Sequence, residues 1–404
     1  MRMPRSLRPV CIIILVSAAL ATTVALSQSS YDDALLAVKR RFARSEIAAL
    51  AEPFTGVATS SGLVPGLFPI RASGVSTEPI RQAASSFLTT LTPEQQIRTV
   101  FAVDAPEWRR WSNVDNGIYV RQGVSLEEMT AEQHDAAFDL LRVSLSARGL
   151  RLSRDVMKTD QTLRELNDNI LRYGEEKYFF TVMGIPSREE AWGWQLDGHH
   201  LVINYFVLGD QVVMTPVFLG GEPVVTESGK YQGNAILQEE QDQGLALLKS
   251  LSDDQRTAAI LHPDKTVNNI LAEANQDNRI VDYEGVSVSV LSTAQQQQLL
   301  ELVDLFVSNM REGHGHVRMD EVEQHRDETY FAWIGGTDDD AVFYYRIHSP
   351  VILIEFDHQR PVGTRHLRPP DVPTRQHIHI VVRTPNGNDY GKDLLRQHLE
   401  AHPH

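Results

Sequence analysis

The residues best suited to chemistry in this chain are histidines and carboxylates near its C-terminus. Of the 15 histidines, eleven lie at or after His314. His377 and His379 lie in an apolar run that predicts a β-strand, and alternate residues of a strand project to one face, about 7 Å apart at the β-carbons. Two imidazoles at that spacing can bind one ion, so His377-Ile378-His379 is a candidate pair of metal ligands.

Two carboxylates repeat this spacing on another strand-like run. If the two runs meet in one sheet, we expect Glu355 to join His377 and His379 as a ligand. Asp357 is then a further ligand or a general base. Arg346 is expected either to pair with a carboxylate or to face a ligand in a catalytic role, because an unpaired guanidinium is costly to bury. Histidine and carboxylate ligands suit Zn²⁺, Mn²⁺ or non-haem Fe²⁺.

A second histidine pair, His199-His200, lies in another strand-like run. Adjacent residues of a strand point to opposite faces, so at most one of the two can join the site directly as a third imidazole. The other is expected to pack in the core or to orient a ligand. Asp197 and Asn204 are near enough in sequence to orient an imidazole through its second nitrogen.

Two other interpretations of these residues stay open. The histidines and carboxylates could form a catalytic site without metal, or purely structural networks in which Glu355 pairs with Arg346 or Arg383. His314-Gly315-His316 follows a predicted helix end and favours a mobile turn, and His402-Pro403-His404 favours a frayed tail. Both are weaker metal candidates.

The elements that position these residues begin with four helix starts of one type. Each has Ser or Thr followed three residues later by Gln, the capping-box pattern, at Thr92, Thr130, Ser252 and Ser292. The recurrence could mark an internal repeat, but the spacings are irregular and capping alone explains the pattern.

Periodicity predicts helices followed by strands, twice over. Apolar residues recur every three or four positions in helices at 31–51, 77–89, 92–101, 130–148, 159–173, 236–250, 252–261, 292–310 and 390–401. Runs rich in Val, Ile, Tyr and Phe predict strands at 178–183, 199–208, 212–219, 330–334, 342–347, 351–356 and 377–382. This order indicates an α+β fold with a largely antiparallel sheet, helices packed around it and a helix-rich N-terminal part. The proline-rich stretch 358–374 is expected to be a long surface loop, which is often functional.

Composition and the N-terminus limit the function classes. The chain has 404 residues and a formal charge of −15, which disfavours nucleic-acid binding.

Residues 1–27 combine arginines, a short apolar run and small residues, which is typical of a secretory signal peptide. We expect cleavage, export and a mature single domain over 28–404 with no stable membrane anchor; a retained anchor is the weaker alternative. The one cysteine, Cys11, lies in that segment, so any metal must bind to His, Asp, Glu or backbone oxygen.

Several short motifs occur in an order that resembles a known family. They include Trp108-Arg109-Arg110-Trp111-Ser112-Asn113, Trp192-Gly193-Trp194, Gly198-His199-His200-Leu201, Trp333-Ile334-Gly335-Gly336-Thr337, Leu353-Ile354-Glu355-Phe356-Asp357 and His377-Ile378-His379. From about residue 35 onward the chain resembles the exported proteins grouped as domain of unknown function 3500. The resemblance implies one domain and export, and it implies no reaction. The aromatic residues of these motifs could wall a pocket, although core packing is the simpler use.

Phosphate loops, dinucleotide fingerprints and nucleophile elbows are absent from the sequence. We therefore expect an exported protein with a divalent-metal site, acting as a metal-dependent hydrolase of a small molecule if it is an enzyme. A non-catalytic binding or scaffold protein is the alternative.

Overall fold

The computed structural model describes residues 34–402. The predicted signal peptide, 1–27, and His404 lie outside the described residues. The helices of the described part, α1–α10 in chain order, cover 34–51, Glu78–Thr90, Pro93–Thr99, Ala131–Ser144, Ala147–Asn167, Gln238–Ser250, Asp253–Ala259, Thr293–Val307, Glu312–Gln324 and Lys392–Ala401. None of them is both long enough and apolar enough to cross a membrane.

The strands of the described part form one sheet. In chain order, β1–β13 are Val100–Phe101, Val124–Ser125, Tyr178–Met183, Trp192–Gly198, Leu201–Leu208, Gln211–Val213, Val217–Gly221, Ile260–His262, Val286–Ser287, Tyr330–Gly335, Phe343–His348, Leu353–His358 and Ile378–Arg383. The strand order is β1-β3-β4-β5-β7-β13-β12-β11-β10-β8, with β2, β6 and β9 attached to β3, β5 and β10. Only β1–β3 and β8–β10 pair in parallel among these strands. The α+β class with a largely antiparallel sheet is confirmed.

The sheet consists of two halves with the same order of elements. The first half runs α2, α3, β1, β2, α4, α5, β3, β4, β5 and β7. The second half runs α6, α7, β8, β9, α8, α9, β10, β11, β12 and β13. The strand order reads identically outward from the central β7–β13 pair in both directions. The fold is therefore a tandem repeat with approximate two-fold symmetry.

The four capping boxes belong to this repeat. They begin α3 and α4 in the first half and α7 and α8 in the second. The side chain of Gln133 donates to that of Gln95 at 2.7 Å, and Gln295 donates to Gln255 at 3.0 Å in the same way. Capping alone, our sequence-based explanation, does not account for these matching bonds between helix starts.

The halves meet where β7 pairs with β13. Val217 pairs with Val382 across this junction. Val217 also pairs with Ile203 of β5, and Val382 pairs with Ile354 of β12. The junction is therefore built in the same way from both sides, and the two-fold axis passes through the β7–β13 pair.

The two faces of the sheet are covered by different parts of the chain. Leu219 and Ile380 face the larger core, which the repeated helices cover. Phe218 and Val381 face the other way, against apolar residues of α10 and of the loops 102–123 and 263–285. These two loops occupy equivalent places in the two halves. Residues 377 and 379 share the face of Val381, so the histidine pair lies on this loop-covered face.

Some elements differ from the sequence-based prediction. The strand β4, Trp192–Gly198, was not predicted, and residues 314–316 lie within α9 rather than in a turn. His314 is buried there, and its Nε2 lies 3.1 Å from the Asp210 carbonyl. The aromatic motif residues Trp192, Trp194 and Trp333 are buried in the larger core, which supports core packing over a pocket wall.

Candidate metal centre

The two histidines at the start of β13 lie together. His377 directly precedes the strand and His379 is its second residue. Their Nε2 atoms are 3.0 Å apart. The alternation of strand side chains thus brings both imidazoles to one point, as the sequence predicted.

A third imidazole comes from the turn between β4 and β5. Gly198 pairs with Leu201, which leaves His199 and His200 as the two turn residues. The Nε2 atom of His200 lies 3.3 Å from the Nε2 atoms of both His377 and His379. His200 has a φ of 60°, in the left-handed region that non-glycine residues seldom adopt. The turn therefore holds a disfavoured backbone conformation that places this ring in the cluster.

Gly220 of β7 makes room for the three rings. It pairs with His379 across the central strand junction. A Cβ at this position would lie 2.7 Å from the Ile378 carbonyl oxygen and 3.2 Å from Cδ2 of the His200 ring. Only glycine fits here without a shift of the backbone or of that ring.

The second ring nitrogens set the protonation of two histidines. Nδ1 of His377 lies 2.7 Å from the Arg360 carbonyl oxygen, which can only accept, so this nitrogen carries the proton. Nδ1 of His379 lies 2.9 Å from Oε1 of Glu273 and donates to it when the carboxylate is ionised. Both Nε2 atoms then present lone pairs. Only His200 could supply a proton between them, so at least one buried lone pair has no donor in the cluster.

Burial keeps these imidazoles neutral. It lowers the pKa of His377 to about 4 and that of His379 to about 3, with neighbouring histidines adding to both effects. Burial also holds the pKa of His200 well below its usual value. Metal ions bind to neutral imidazole, so the cluster is ready to coordinate across the neutral pH range.

Two rings of the cluster have a carboxylate beside Nδ1, and the third stacks on a histidine that has one. Glu273 contacts His379 directly, and a Glu222 oxygen lies 3.6 Å from Nδ1 of His377. Behind His200 the ring of His199 stacks at 3.9 Å, and Nδ1 of His199 contacts Asp160 at 2.6 Å. Such carboxylate–histidine pairs orient metal ligands and complement the charge of a cation.

The separations fit a metal ion. With metal–nitrogen distances of about 2.0–2.1 Å, ligand nitrogens lie about 3.3 Å apart at tetrahedral angles and about 2.9 Å apart at right angles. The observed values of 3.0 and 3.3 Å lie between these limits. Among residues 34–402, His200, His377 and His379 are the one group of three or more suitable side chains whose ligand atoms converge. Three protein ligands leave coordination positions for water or substrate.

Glu355 and Asp357 lie on β12, beside the histidine strand, but outside the cluster. Glu355 accepts from the backbone N–H groups of Leu271 and Ala272, each at 2.9 Å, and from the Tyr344 hydroxyl. Asp357 pairs with the buried Lys265 at 2.9 Å and accepts from the Asn269 N–H. Their oxygens are therefore occupied in holding the loop 263–285.

That loop carries Glu273, so the two predicted carboxylates position a residue that the sequence analysis missed. Arg383 also holds the loop by donating to the carbonyls of Ala272 and Glu273. Arg346 donates to Glu284 at 2.6 Å, near the end of the same loop. It has the carboxylate partner that one of our two expectations required.

The remaining predicted residues act elsewhere. His199 orients His200 by stacking and contributes no nitrogen to the cluster. Asp197 pairs with the buried Arg121 at 3.1 Å, and Asn204 accepts from Gln195 at 2.7 Å. Neither of these two orients an imidazole of the cluster.

The comparisons agree with the resemblance seen in the sequence. Fold and cluster together define an α+β tandem-repeat protein with a candidate three-histidine centre. The family model described as Protein of unknown function (DUF3500) matches residues 73–392, and the chain belongs to this family. No curated protein and no solved structure matches the chain.

Proposed function

We propose that the protein binds a divalent metal ion, Zn²⁺ foremost, through Nε2 of His200, His377 and His379. One observation carries this proposal. Three neutral imidazole nitrogens converge on one point, and there are too few protons between them for each lone pair to accept a hydrogen bond. A cation at this point would satisfy all three nitrogens. The carboxylates behind the rings supply the complementary negative charge.

The chemistry that follows is hydrolysis of a small substrate. A bound divalent ion lowers the pKa of coordinated water to about 7 and polarises a carbonyl or phosphoryl group. Glu273 and the Arg360 carbonyl fix the tautomers of His379 and His377 and so keep their Nε2 atoms free for the metal. Solvent reaches Glu273 behind His379, because the Glu273 side chain is 32% exposed.

The depth of the cluster supports a second candidate, a metal-stabilised protein that binds a ligand without turnover. The three histidines are only 3–8% exposed, as is common for ligands of metals with a structural role.

Both candidate functions include export of the protein, which is proposed from the signal-peptide pattern of residues 1–27. N-terminal sequencing of the secreted or periplasmic protein tests it, and a start near Gln28 is expected.

Elemental analysis of the mature protein, purified without a histidine tag, tests the metal site. We expect close to one divalent ion per chain, lost in His200→Gln and retained in His398→Gln. His398 is a suitable control because it is equally buried and bonds to Glu190 outside the cluster. A parent that stays metal-free after incubation with Zn²⁺, Mn²⁺ and anaerobic Fe²⁺ contradicts the proposal.

Hydrolysis is tested separately with chromogenic carboxylic and phosphate esters. The metal-loaded parent should cleave at least one class, and the chelator-treated parent and His200→Gln should not. Stoichiometric metal without turnover of any ester would favour the non-catalytic candidate.

A further inference from the structure

The loop between β12 and β13 is unusually basic for this protein. Residues 360–375 include Arg360, Arg365, Arg368 and Arg375 against one carboxylate, Asp371, in a chain with a net charge of −15. His377 is the last residue of this loop, directly before β13. Four arginines are therefore concentrated in the segment of chain that leads to the candidate metal ligand His377.

Within the described residues, three of these arginines have no carboxylate partner. Among residues 34–402, ion pairs form for Arg375, with Asp242 at 3.7 Å, but not for Arg360, Arg365 or Arg368. The Nε atoms of Arg360 and Arg368 are shielded from solvent, and no acceptor for either lies within the described part of the chain. Buried donors without acceptors are rare in proteins and often mark the place of an ion or a ligand.

The backbone places two of the arginines side by side. The N–H groups of Leu367 and Arg368 both donate to the Thr364 carbonyl, at 2.8 and 3.1 Å, which closes one helical turn. Residues three apart on such a turn leave the backbone on the same side, as Arg365 and Arg368 do, and Nε of Arg365 donates to the Val362 carbonyl at 2.9 Å. Two adjacent guanidinium groups can bind an oxyanion through several charge-assisted hydrogen bonds.

The carboxylate of Glu222 contacts both this turn and a histidine of the metal centre. Glu222 accepts from the backbone N–H groups of Val362, Gly363 and Thr364, with distances from 2.8 Å upward. Its Oε2 atom lies 3.6 Å from Nδ1 of His377. The loop also contributes the Arg360 carbonyl that accepts from His377. The arginine turn thus has a fixed position relative to the histidine cluster.

We infer that the turn 364–368 binds the oxyanion group of a small anionic ligand, on the Nδ1 side of His377 and therefore behind the nitrogens that would hold the metal. Phosphate, sulfate and carboxylate groups share the required chemistry, and an acidic protein surface would repel all three from other positions. The arginine turn, together with the cation, offsets that repulsion at one place.

Binding of inorganic phosphate, sulfate and succinate to the full mature chain, measured by calorimetry, tests the inference. The double variant Arg365→Gln/Arg368→Gln is compared with Arg151→Gln/Arg279→Gln, which removes two exposed arginines that likewise lack ion pairs in the described structure. We expect at least about a tenfold loss of affinity for one anion in the first variant and none in the second, because charge-assisted hydrogen bonds are lost. Affinity of the parent should fall as salt rises.

Metal content and thermal unfolding are measured on the same samples to separate the two proposals. Loss of anion binding with unchanged metal content and stability supports the inference. If the parent binds anions through these arginines but contains no metal, the metal proposal fails and the anion site stands. No binding of any of the three anions, or equal affinities in both variants, overturns the inference.

Discussion

At the scale of single residues, the lone pairs of the clustered imidazoles repel one another, and a bound cation would remove this repulsion. Burying a lone pair without a donor costs free energy, and here three ring nitrogens lie within 3.3 Å of one another while only His200 can supply a proton between them. Their positions are enforced from the far side of the rings by Arg360, Glu273 and, through His199, Asp160. The partners thus maintain an arrangement that the rings alone would not adopt.

Glu273→Gln should weaken metal binding without abolishing it. Glutamine can still accept from Nδ1 of His379 but lacks the negative charge that raises the basicity of the ring. We expect affinity to fall about 10–100-fold, the usual effect of losing a partner behind a metal ligand. Competition with a chromogenic chelator at pH 8 measures this affinity, because Glu273 is ionised there even though its partial burial raises its pKa.

Glu328→Gln is the matched control for this change. Glu328 makes a comparable 2.8 Å contact with His325, far from the cluster in sequence and exposed. Equal affinities in parent and Glu273→Gln would show that Glu273 does not support a metal ligand.

Glu355→Gln separates the sequence-based role of this residue from the structural one. One of its oxygens becomes an amide donor facing a backbone N–H group, so we expect a loss of about 1–3 kcal/mol in the free energy of unfolding. Metal content at saturation should stay at one ion per chain. Urea unfolding and elemental analysis measure the two quantities. A stable variant with no metal would instead identify Glu355 as a ligand.

At the scale of secondary structure, the strand period is what made part of the site predictable. Residues two apart on a strand share a face, which brought His377 to His379 and placed Glu355 and Asp357 on the neighbouring strand facing the same way. The sequence could not show which of these groups meet in space. Glu273 was missed because it lies in a loop with no periodicity, and its position depends on contacts with two strands far along the chain.

Other elements escaped prediction for local reasons. The strand β4 contains Gly193 and Gly198, which weaken the strand pattern although close packing requires both: a Cβ on Gly193 would lie 2.2 Å from the Tyr205 carbonyl oxygen. The helix α9 was not predicted around His314 because the glycines beside this residue disfavour a helix. The repeat was hidden because its halves share element order and capping residues but not loop lengths.

The matching helix starts yield a prediction about the two halves. Thr130→Ala and Ser292→Ala remove the capping hydroxyls at the starts of α4 and α8, which occupy equivalent positions. Each should lower the free energy of unfolding by about 1 kcal/mol. Thr293→Ala, at the exposed first position of α8, is the control. Urea unfolding of the three variants tests this; a cost in one half alone would mean that the equivalent caps differ in energy.

At the scale of the whole molecule, the metal centre lies across the boundary between the halves. His200 comes from the first half, and His377 and His379 come from the second. The boundary itself is the β7–β13 pair, at Gly220 and His379. An ion bound there would cross-link the two repeats close to their axis, in addition to any role in chemistry.

A bound metal ion should therefore raise the free energy of unfolding of the whole chain, because its ligands come from both halves. An ion that binds only the folded chain adds about 2.7 kcal/mol at a hundredfold excess over its dissociation constant. We expect Zn²⁺ to raise the thermal midpoint of the chelator-treated parent and of His398→Gln alike. His200→Gln should lose most of the shift, because without the ligand from the first half the site no longer holds the ion that joins the repeats. A full shift in His200→Gln would contradict the cross-link, since stabilisation would then arise within the second half alone.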